Sequence, residues 1–538
     1  MPSNQPTDDE APALPDDAVA ALSEALAAER ECRWDDSRRL CRRALGDSRL
    51  QPDAFNLFGR LCRRAGDVAT AIAMQRMVLT LAPEHRRATE DLAIALGAVR
   101  STADAETSFG SAVSLAPDIT CHHRLPASLL PFVGIDAVEQ ALHRALEFDP
   151  SFAPAHAALG NVLARRQRLR AATDAYRLAA MLQWDWPDVH LALAHLFDAL
   201  HDDASSARHR FEALSRKQLY AAATAEGSRR VLVMAAPGNT AANTPLDFCV
   251  DHNVVALHVC YLADAAPMPE LPAYDLVFNA IEEADSSATA IERCSRFVAS
   301  QSKPVINHPK HLAKVRRSTL ETTLRDVRGC TIPESLRLTR EEVAAAAEGS
   351  GKIAGLDFPV LVRPVDTHGG RGLERITVPA QLPEYLGRVA GEHFYVSPFV
   401  DYRSADSYYR KYRVIVVDGE PFPYHLAIAD SWMVHYHSSL MEQHAWMRAE
   451  EERFLREPGS VFAAWNTVFR DIAAAVGLDY FGIDCAVAAD GSVLIFECGG
   501  GMLVQCMDPP ELFAYKYHYV PRIFAALDLM FVARIAAG

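Results

Sequence analysis

Apolar and small residues recur with helical spacing across residues 17–217, and this pattern itself repeats about every 34 residues. Pro83 and Pro117 lie 34 positions apart and each follows an alanine, while Pro150 follows 33 positions later. The pattern predicts a repeated helical unit, with a proline at a regular position in the repeat. Equivalent positions carry residues of the same kind: Phe58 and Leu159, each followed by a glycine; Ala71, Ala105 and Ala172; Phe109 and Tyr176; Val78, Ala112, Ala145 and Ala179.

The hydrophobic pattern changes after a small, polar segment at residues 218–228, which has the composition of a linker. Short apolar runs with helical segments between them then predict an α/β unit over residues 229–309. Because no G-x-G-x-x-G motif follows the first run, a dinucleotide site has little support. The predicted strands of this unit are residues 230–235, 254–259, 275–279 and 304–309.

The next part of the chain, residues 310–364, carries cationic side chains on two predicted elements. A basic segment at residues 310–328 predicts a helix that carries Lys314 and Arg317. The apolar strand predicted at residues 358–364 carries Arg363 near its end. The chain thus places Lys314 and Arg317 ahead of the strand that carries Arg363.

A glycine-rich loop at residues 367–372 follows that strand. Glycines permit positive φ and let backbone amides approach an anion closely. Taken alone, the loop is more typical of an ordinary hairpin turn. Another apolar strand at residues 394–400 runs into Asp401, and the strand at residues 412–417 carries Arg413.

An acidic hairpin is predicted near the carboxyl end of the chain. Two apolar runs flank Asp490-Gly491, which is a strong signal for a two-residue hairpin turn. If Ala489 faces Ser492 across this turn, Asp484 lies directly opposite Glu497. Two carboxylates in such a pair repel unless something positive lies between them. The hairpin therefore predicts a divalent cation site, and the alternative is an acidic pair on a solvated strand face.

Composition and charge exclude several classes of protein. The chain has 538 residues, enough for roughly three or four domains. A formal charge of −15 argues against nucleic-acid or anionic-membrane binding, and no apolar run is long enough for a membrane span. Residues 1–16 lack the features of a secretory signal, and their composition predicts a disordered acidic leader. Eleven cysteines without a C-x-x-C pair predict a reduced, cytoplasmic protein.

The repeating array at residues 17–217 resembles the tetratricopeptide repeat. The resemblance implies antiparallel helix pairs, in which small residues allow close approach and a proline ends each second helix. In that family, stacked helix pairs form a concave face that commonly holds a peptide or a protein. The resemblance therefore implies recognition of a peptide or protein partner. The alternatives are a passive spacer and a dimerisation module.

The order of cations, glycine loop, apolar strand and paired carboxylates resembles the ATP-grasp superfamily over residues 229–528. The resemblance is to the group with ribosomal-protein glutamate ligases, glutathione synthetase and D-alanine-D-alanine ligase. Such enzymes hold ATP between two α+β halves, phosphorylate a carboxylate and let an amine attack the acyl phosphate. The implied fold class is an all-α tetratricopeptide-repeat solenoid, followed by an α/β pre-ATP-grasp unit and an α+β ATP-grasp domain.

The resemblance also implies roles for residues at matching positions. Asp484 and Glu497 would bind Mg²⁺, or alternatively Mn²⁺, and Arg413 would be a catalytic cation that faces phosphate. His435 and His437 would border the acceptor substrate. The residues implied to bind ATP form the phosphate cations, the glycine loop and the hinge: Lys314, Arg317, Arg363, His368, Gly369, Gly370, Arg371, Gly372, Ser397, Pro398, Phe399, Val400 and Asp401.

Two positions depart from the family pattern. The second acid is normally followed by an asparagine two residues later, and this chain has Gly499 there. Arg363 stands where the family usually has a lysine, and the two side chains differ in shape and hydrogen bonding. These departures put catalytic competence in question.

The sequence predicts an ATP-dependent, Mg²⁺-requiring carboxylate-amine ligase whose repeats recognise a peptide or protein. An amine or amino acid is a further co-substrate, and a homodimer is an option. The alternatives are an ATP-grasp scaffold with weak or no turnover, phosphotransfer without ligation, and ligation of a small metabolite. The predicted segments are a leader at 1–16, the repeats at 17–217, a linker at 218–228, the pre-ATP-grasp unit at 229–309 and the ATP-grasp domain at 310–538.

Overall fold

The computed structural model forms two compact units, one reaching Val189 and the other beginning at His190. Each unit is described by itself below. The residues that the structure describes are 16–31, 33–44, 50–64, 68–98, 101–115, 135–221, 227–263, 267–282, 287–348, 351–365, 367, 369–436, 439–456 and 463–538.

The first unit consists of helices throughout its described residues. Consecutive helices pack against each other, as α1 does on α2, α3 on α4 and α8 on α9. Helices α4 and α7 end at Leu81 and Phe148, shortly before Pro83 and Pro150, as the repeat predicts. Pro117 lies outside the described residues. The helices are α1 Asp16–Arg30, α2 Trp34–Ala44, α3 Gln51–Arg64, α4 Val68–Leu81, α5 Arg86–Ala98, α6 Ser101–Leu115, α7 Ile135–Phe148, α8 Ala153–Arg165, α9 Leu169–Leu182 and α10 Pro187–Ala199, which continues into the second unit.

Small residues at the repeat positions are buried between helices, as predicted. Ala71, Ala145 and Ala172 are almost fully buried. A Cβ placed on Gly160 would lie 2.6 Å from the ring of Tyr176, which is itself buried and donates a hydrogen bond to Asn161 at 2.8 Å. The close approach of α8 and α9 therefore depends on the absence of a side chain at position 160.

We expect Gly160→Ala to lower the free energy of unfolding by about 1–3 kcal/mol, because the new methyl group overpacks this contact. Chemical denaturation of the full chain followed by circular dichroism measures the change. Gly110→Ala in α6 is the matched control, since nothing lies within 4 Å of its Cβ position. Alanine there should stabilise the helix by up to about 1 kcal/mol. Equal effects of the two substitutions would contradict the packing argument.

The second unit begins with the remainder of α10, with α11 Asp203–Arg216 and with a five-stranded sheet. The sheet has the order β1-β3-β2-β4-β5, in which β1 is antiparallel and the others are parallel. Helix α12 (Ala288–Ala299) follows β4 and packs on the sheet through buried Ala290, Cys294 and Val298. The strands are β1 Leu219–Ala221, β2 Arg229–Ala235, β3 Val255–Tyr261, β4 Leu276–Asn279 and β5 Val305–Ile306.

Two further sheets form the rest of the unit. A four-stranded antiparallel sheet has the order β11-β10-β12-β7, and a five-stranded sheet has the order β14-β13-β15-β16-β6. The β8-β9 hairpin is a separate two-stranded sheet that packs against the core of the four-stranded sheet. The strands are β6 Cys330–Thr331, β7 Leu336–Thr339, β8 Lys352–Ile353, β9 Leu356–Asp357, β10 Val360–Pro364, β11 Glu374–Ile376, β12 His393–Pro398, β13 Tyr409–Val417, β14 Glu420–Ala429, β15 Tyr480–Val487 and β16 Val493–Gly499.

Helices cover one face of the second five-stranded sheet and enclose its core. Phe454, Phe469 and Ile472 from these helices pack against Val414 and Phe481 of the strands. In the part of the chain that the structure describes, no helix is long and apolar enough to cross a membrane. The helices of these sheets are α13 Leu320–Leu324, α14 Arg340–Ala345, α15 Leu382–Arg388, α16 Ala445–Arg456, α17 Ala463–Val476, α18 Pro510–Phe513, α19 Lys516–Tyr519 and α20 Pro521–Ala537.

The predicted fold class is confirmed, because a helical array precedes mixed α/β sheets. The continuous helix predicted at residues 310–328 is wrong. That segment contains a 3₁₀ turn over Pro309–Lys314 and the short α13, separated by a bend in which Thr319 donates a hydrogen bond to Arg316 O at 3.2 Å. Because of this bend, Lys314 and Arg317 contact different parts of the structure: Lys314 contacts Ala475, and Arg317 contacts Glu497.

The two-residue turn predicted for the acidic hairpin is also wrong. Ala488 N donates to Ser492 O, and Gly491 N donates to Ala488 O, so three residues form the connection. A bulge between Asp484 and Cys485 then shifts the register by one residue. The two departures cancel, and Asp484 does pair with Glu497.

Candidate functional site

A cavity of about 280 Å³ lies between the four-stranded sheet and the second five-stranded sheet. We refer to it as the cleft. Strands β10 and β12 line one side, and β13, β15 and β16 line the other. Side chains that alternate along these strands project from both sheets into the same space. The predicted residues that line the cleft are Arg317, Arg363, Gly369, Gly370, Ser397, Pro398, Phe399, Val400, Arg413, His435, Asp484 and Glu497.

Asp484 is held by two cations from the neighbouring strand β13. Arg413 donates from Nε to Oδ1 at 2.6 Å and from Nη2 to Oδ2 at 2.9 Å, and Lys411 Nζ donates to Oδ2 at 3.0 Å. Burial raises the pKa of Asp484, but Arg413 and Lys411 outweigh it and hold this pKa well below the ordinary value. The carboxylate is therefore ionised at neutral pH.

Glu497 faces the cleft beside Asp484 and pairs with Arg317. Burial raises the pKa of Glu497, but Arg317 and the other cations of the cleft lower it below its ordinary value. Cationic side chains of the protein thus supply at least part of the positive charge that the sequence analysis predicts between the two carboxylates. One third of the Glu497 side chain is exposed, so its carboxylate can be reached from the cleft.

The cleft carries an excess of positive charge although the whole chain is acidic. Four cationic side chains (Arg317, Arg363, Lys411 and Arg413) and two carboxylates line it. Two positive charges are therefore left over in a confined space, whereas the full chain has a formal charge of −15. This local field favours an anionic ligand.

Arg363 is a buried cation at the floor of the cleft. The residue is 9% exposed, and its Nη2 donates to the backbone and side-chain oxygens of Thr367. Its Nε has no hydrogen-bond partner among the residues that the structure describes. Burial, with a contribution from Arg317, lowers the pKa of Arg363 to about 10. A buried guanidinium with an unsatisfied N–H is costly, and an anion in the cleft would offset that cost.

The other end of the cleft is apolar and partly aromatic. Ile332, Leu361 and Leu494 line it together with Phe399 and Trp432, whose rings meet edge to face at 5.7 Å. An apolar slot next to concentrated positive charge suits a ligand with a flat ring system and an anionic tail.

The glycine turn lies against His435. Gly369, Gly370 and Gly372 have φ between 61° and 74°, which side chains disfavour. A Cβ on Gly370 would overlap Nε2 of His435. Burial lowers the pKa of His435, so its ring is neutral at pH 7. The glycines thus let the backbone of the turn approach the wall of the cleft.

Several predicted residues lie elsewhere. Lys314 donates its Nζ to Ala475 O at 2.9 Å, and Arg371 pairs with Asp203 at 2.8 Å. Asp401 pairs with Arg403 on the surface, and Gly372 packs against Pro364. These four residues do not line the cleft in the described structure. His368 and His437 lie outside the described residues.

Sequence reasoning missed Lys411, Trp432 and Glu282. Lys411 precedes Arg413 by two positions on β13, so strand alternation places both on one face, and the predicted strand began one residue too late to include it. No local signal marks Trp432 or Glu282. Glu282 follows the end of β4 and reaches a second cavity of about 200 Å³ that Glu497 and Arg413 also line.

His425, which β-pairing places beside Arg413, lines a third cavity of about 210 Å³. The ring stacks on Tyr436 at 4.7 Å, and Nε2 has no hydrogen-bond partner among the described residues. Burial, with the nearby Arg413 and Lys516, holds the pKa of His425 well below its ordinary value. Its imidazole is therefore uncharged at neutral pH.

The donor set fits a nucleotide with one magnesium ion. Mg²⁺ usually takes one or two carboxylates and completes its octahedron with phosphate and water oxygens. Glu497 is accessible from the cleft, and Asp484 lies directly opposite it on the hairpin. In the ranges described above, no three acidic, histidine or cysteine side chains form a ready cluster for a metal ion. The orphaned Nε of Arg363 fits a phosphate oxygen.

No family model matches the chain, and none of the curated proteins matches it. Among solved structures, D-alanine-D-alanine ligase from Coxiella burnetii is 11% identical, with a TM-score of 0.39, over 58% of this chain and 97% of that chain. The RimK domain ATP-grasp protein from Sphaerobacter thermophilus is 14% identical, with a TM-score of 0.34, over 56% of this chain and 99% of that chain.

The helical part has a match as well. A MamA chain from Desulfovibrio magneticus is 16% identical, with a TM-score of 0.15, over 38% of this chain and 97% of that chain.

Proposed function

We propose that the chain is an ATP-dependent carboxylate-amine ligase that acts through an acyl phosphate. The observation that carries this proposal is the buried, incompletely satisfied Arg363 in a cleft with excess positive charge, an apolar slot and an accessible carboxylate. A purine ring in the slot would place its phosphates against the cations. We propose Mg²⁺, or alternatively Mn²⁺, as the metal.

The residues of the chain would act by binding and orientation. Arg317 and Arg363 would hold phosphate oxygens, and Lys411 with Arg413 would add positive charge where charge builds up during transfer. Asp484 would keep Arg413 in place through its two hydrogen bonds. The bound magnesium ion would supply Lewis acidity toward the phosphates. Such a reaction needs no covalent nucleophile, because positioning and charge are sufficient.

We propose that the helical repeats recognise the peptide or protein that carries one of the reacting groups. The exposed apolar residues of α9 and its C-terminal flank support a binding role, since Met181 is 78% exposed and Trp184 is 53% exposed. An amino acid or a small amine is the proposed second substrate. The third cavity, beside Arg413 and His425, has a size that suits such a molecule.

The first test is Mg²⁺-dependent release of ADP and phosphate on addition of pooled amino acids and a peptide partner isolated with the repeats. We expect Glu497→Ala to reduce ADP release by at least about 100-fold, because removal of a metal carboxylate costs several kcal/mol. Enzyme-coupled detection of ADP and mass spectrometry of the partner measure the outcome.

Asp490→Ala, at the exposed turn of the same hairpin, is the control and should leave ADP release unchanged. Release of AMP instead of ADP would contradict the acyl-phosphate route. Absence of any Mg²⁺-dependent ATP binding in the wild type would end the proposal.

The second candidate function is a binding scaffold that keeps the nucleotide fold with weak or no turnover. It is favoured by the full engagement of Asp484 with Arg413 and Lys411 and by Gly499 at the position of the usual asparagine. Tight ATP binding without ADP release in the presence of the isolated partner would favour the scaffold over the ligase.

A further inference from the structure

Three consecutive glycines follow Glu497 and Cys498, and a glutamate from the first sheet lies beside them. Position 499 is on the same face of β16 as Glu497, because strand side chains alternate. A Cβ on Gly499 would overlap Oε1 of Glu282 and lie 3.1 Å from its Cδ. A Cβ on Gly501 would lie 3.1 Å from Oε2 of the same carboxylate. The glycines therefore leave room for a carboxylate that a side chain at position 499 would exclude.

Backbone hydrogen bonds fix Glu282 in this position. Glu282 N donates to Ala242 O at 2.9 Å, and Thr244 N donates to Ala280 O at 2.6 Å. The two segments thus run side by side at the end of β4. Gly501 N–H in turn donates to Glu282 Oε2. The position of the carboxylate is therefore fixed by the backbone hydrogen bonds of its own segment and by the N–H group of Gly501.

A second polar group at the same place lacks a partner. Thr244 is 4% exposed, and its hydroxyl has no hydrogen-bond partner among the described residues. This hydroxyl lies 3.1 Å from the Cβ position of Gly500, and Glu282 Oε2 lies 3.5 Å from the same point. A buried hydroxyl without a partner is costly and indicates a polar group that the protein itself does not supply.

We propose that Glu282 supplies the oxygen that the missing side chain at position 499 would have offered to a divalent cation, directly or through a bound water. This inference rests on the proposed function of the cleft. A carboxylate is a stronger ligand than an amide for a hard cation such as Mg²⁺ or Mn²⁺. The carboxylate of Glu282 then replaces the side-chain oxygen that is missing at position 499. The cation site would join Glu282, just past the end of β4, to Glu497 of the acidic hairpin, since both residues line the second cavity.

Mn²⁺ binding in the presence of a non-hydrolysable ATP analogue tests this without turnover. Electron paramagnetic resonance of free Mn²⁺ gives the affinity for the full chain. We expect Glu282→Ala to weaken Mn²⁺ binding by about 10-fold or more, and Glu282→Gln to weaken it less, because an amide oxygen remains as a weaker ligand. Gly499→Asn alone should also weaken it, because the new side chain collides with Glu282.

The combined variant Glu282→Ala/Gly499→Asn should recover most of the lost affinity, since the amide then occupies the vacated space. Glu292→Gln is the matched control, because that glutamate is exposed on α12 and pairs with Arg296. It should bind Mn²⁺ as the wild type does. Thermal melting of every variant establishes that it is folded.

Unchanged Mn²⁺ affinity in folded Glu282→Ala overturns the inference, and so does a combined variant that binds no better than Glu282→Ala. In both cases the proposed function stands as long as the wild type binds the nucleotide in a Mn²⁺-dependent way. A wild type without such binding overturns both proposals together.

Discussion

Asp484→Ala is expected to destabilise the second unit by about 3–5 kcal/mol, because it leaves Arg413 and Lys411 buried without their shared carboxylate. The aspartate side chain is 2% exposed and accepts three hydrogen bonds from these cations. Removal of one partner from a buried ion pair costs far more than the pair contributes by itself. Chemical denaturation of the full chain at pH 7 measures the loss.

Glu420→Ala is the matched control for this substitution. Glu420 also pairs with an arginine, Arg470, but both side chains are about half exposed. Water and salt screen such a pair, so the free energy of unfolding should hardly change. A small effect of Asp484→Ala, comparable with that of the control, would show that the cations do not depend on this carboxylate.

Arg363→Met is expected to change nucleotide affinity and stability in opposite directions. Loss of a charge-assisted contact to phosphate costs about 2–3 kcal/mol, so ATP affinity should fall on the order of 100-fold. The free energy of unfolding should stay the same or rise, because a buried cation is replaced by an apolar side chain of similar length. Calorimetric titration with an ATP analogue and denaturation measure the two quantities.

Arg371→Met is the control, since Arg371 belongs to the same loop region but pairs with Asp203 at the surface. It should weaken ATP binding only slightly. If Arg363→Met binds the nucleotide as tightly as the wild type, Arg363 does not contact phosphate. If it also unfolds more readily, its hydrogen bonds to Thr367 are its main contribution.

The acidic hairpin shows how a correct pairing can follow from an incomplete prediction. Strand alternation and the Asp-Gly signal placed Asp484 opposite Glu497, although the turn has three residues instead of two. The bulge next to Asp484 compensates for the extra residue. Bulges depend on packing between strands, and no residue pattern in this segment announces one.

The cationic residues show what the sequence could not predict, namely which of them lie in the cleft. Lys314 and Arg317 stand three residues apart in a basic segment, and only Arg317 reaches the cleft, because a bend separates them. Lys411 was within reach of sequence reasoning, since it shares a strand face with Arg413. The pairing of both with Asp484 follows from the order of strands in the sheet.

The sequence by itself determined the helical repeats, the strand-forming runs that follow them, and the face on which each strand presents its charges. Helix and strand periods are local properties, and burial of one face is enough to specify them. The tertiary structure decided which of these charges meet. Glu282 contacts Gly501 across 219 positions of the chain, and Arg363 lines the same cleft as the two acids only because separate sheets face each other. Such contacts depend on how sheets pack, and periodicity within one segment carries no information about its distant neighbours.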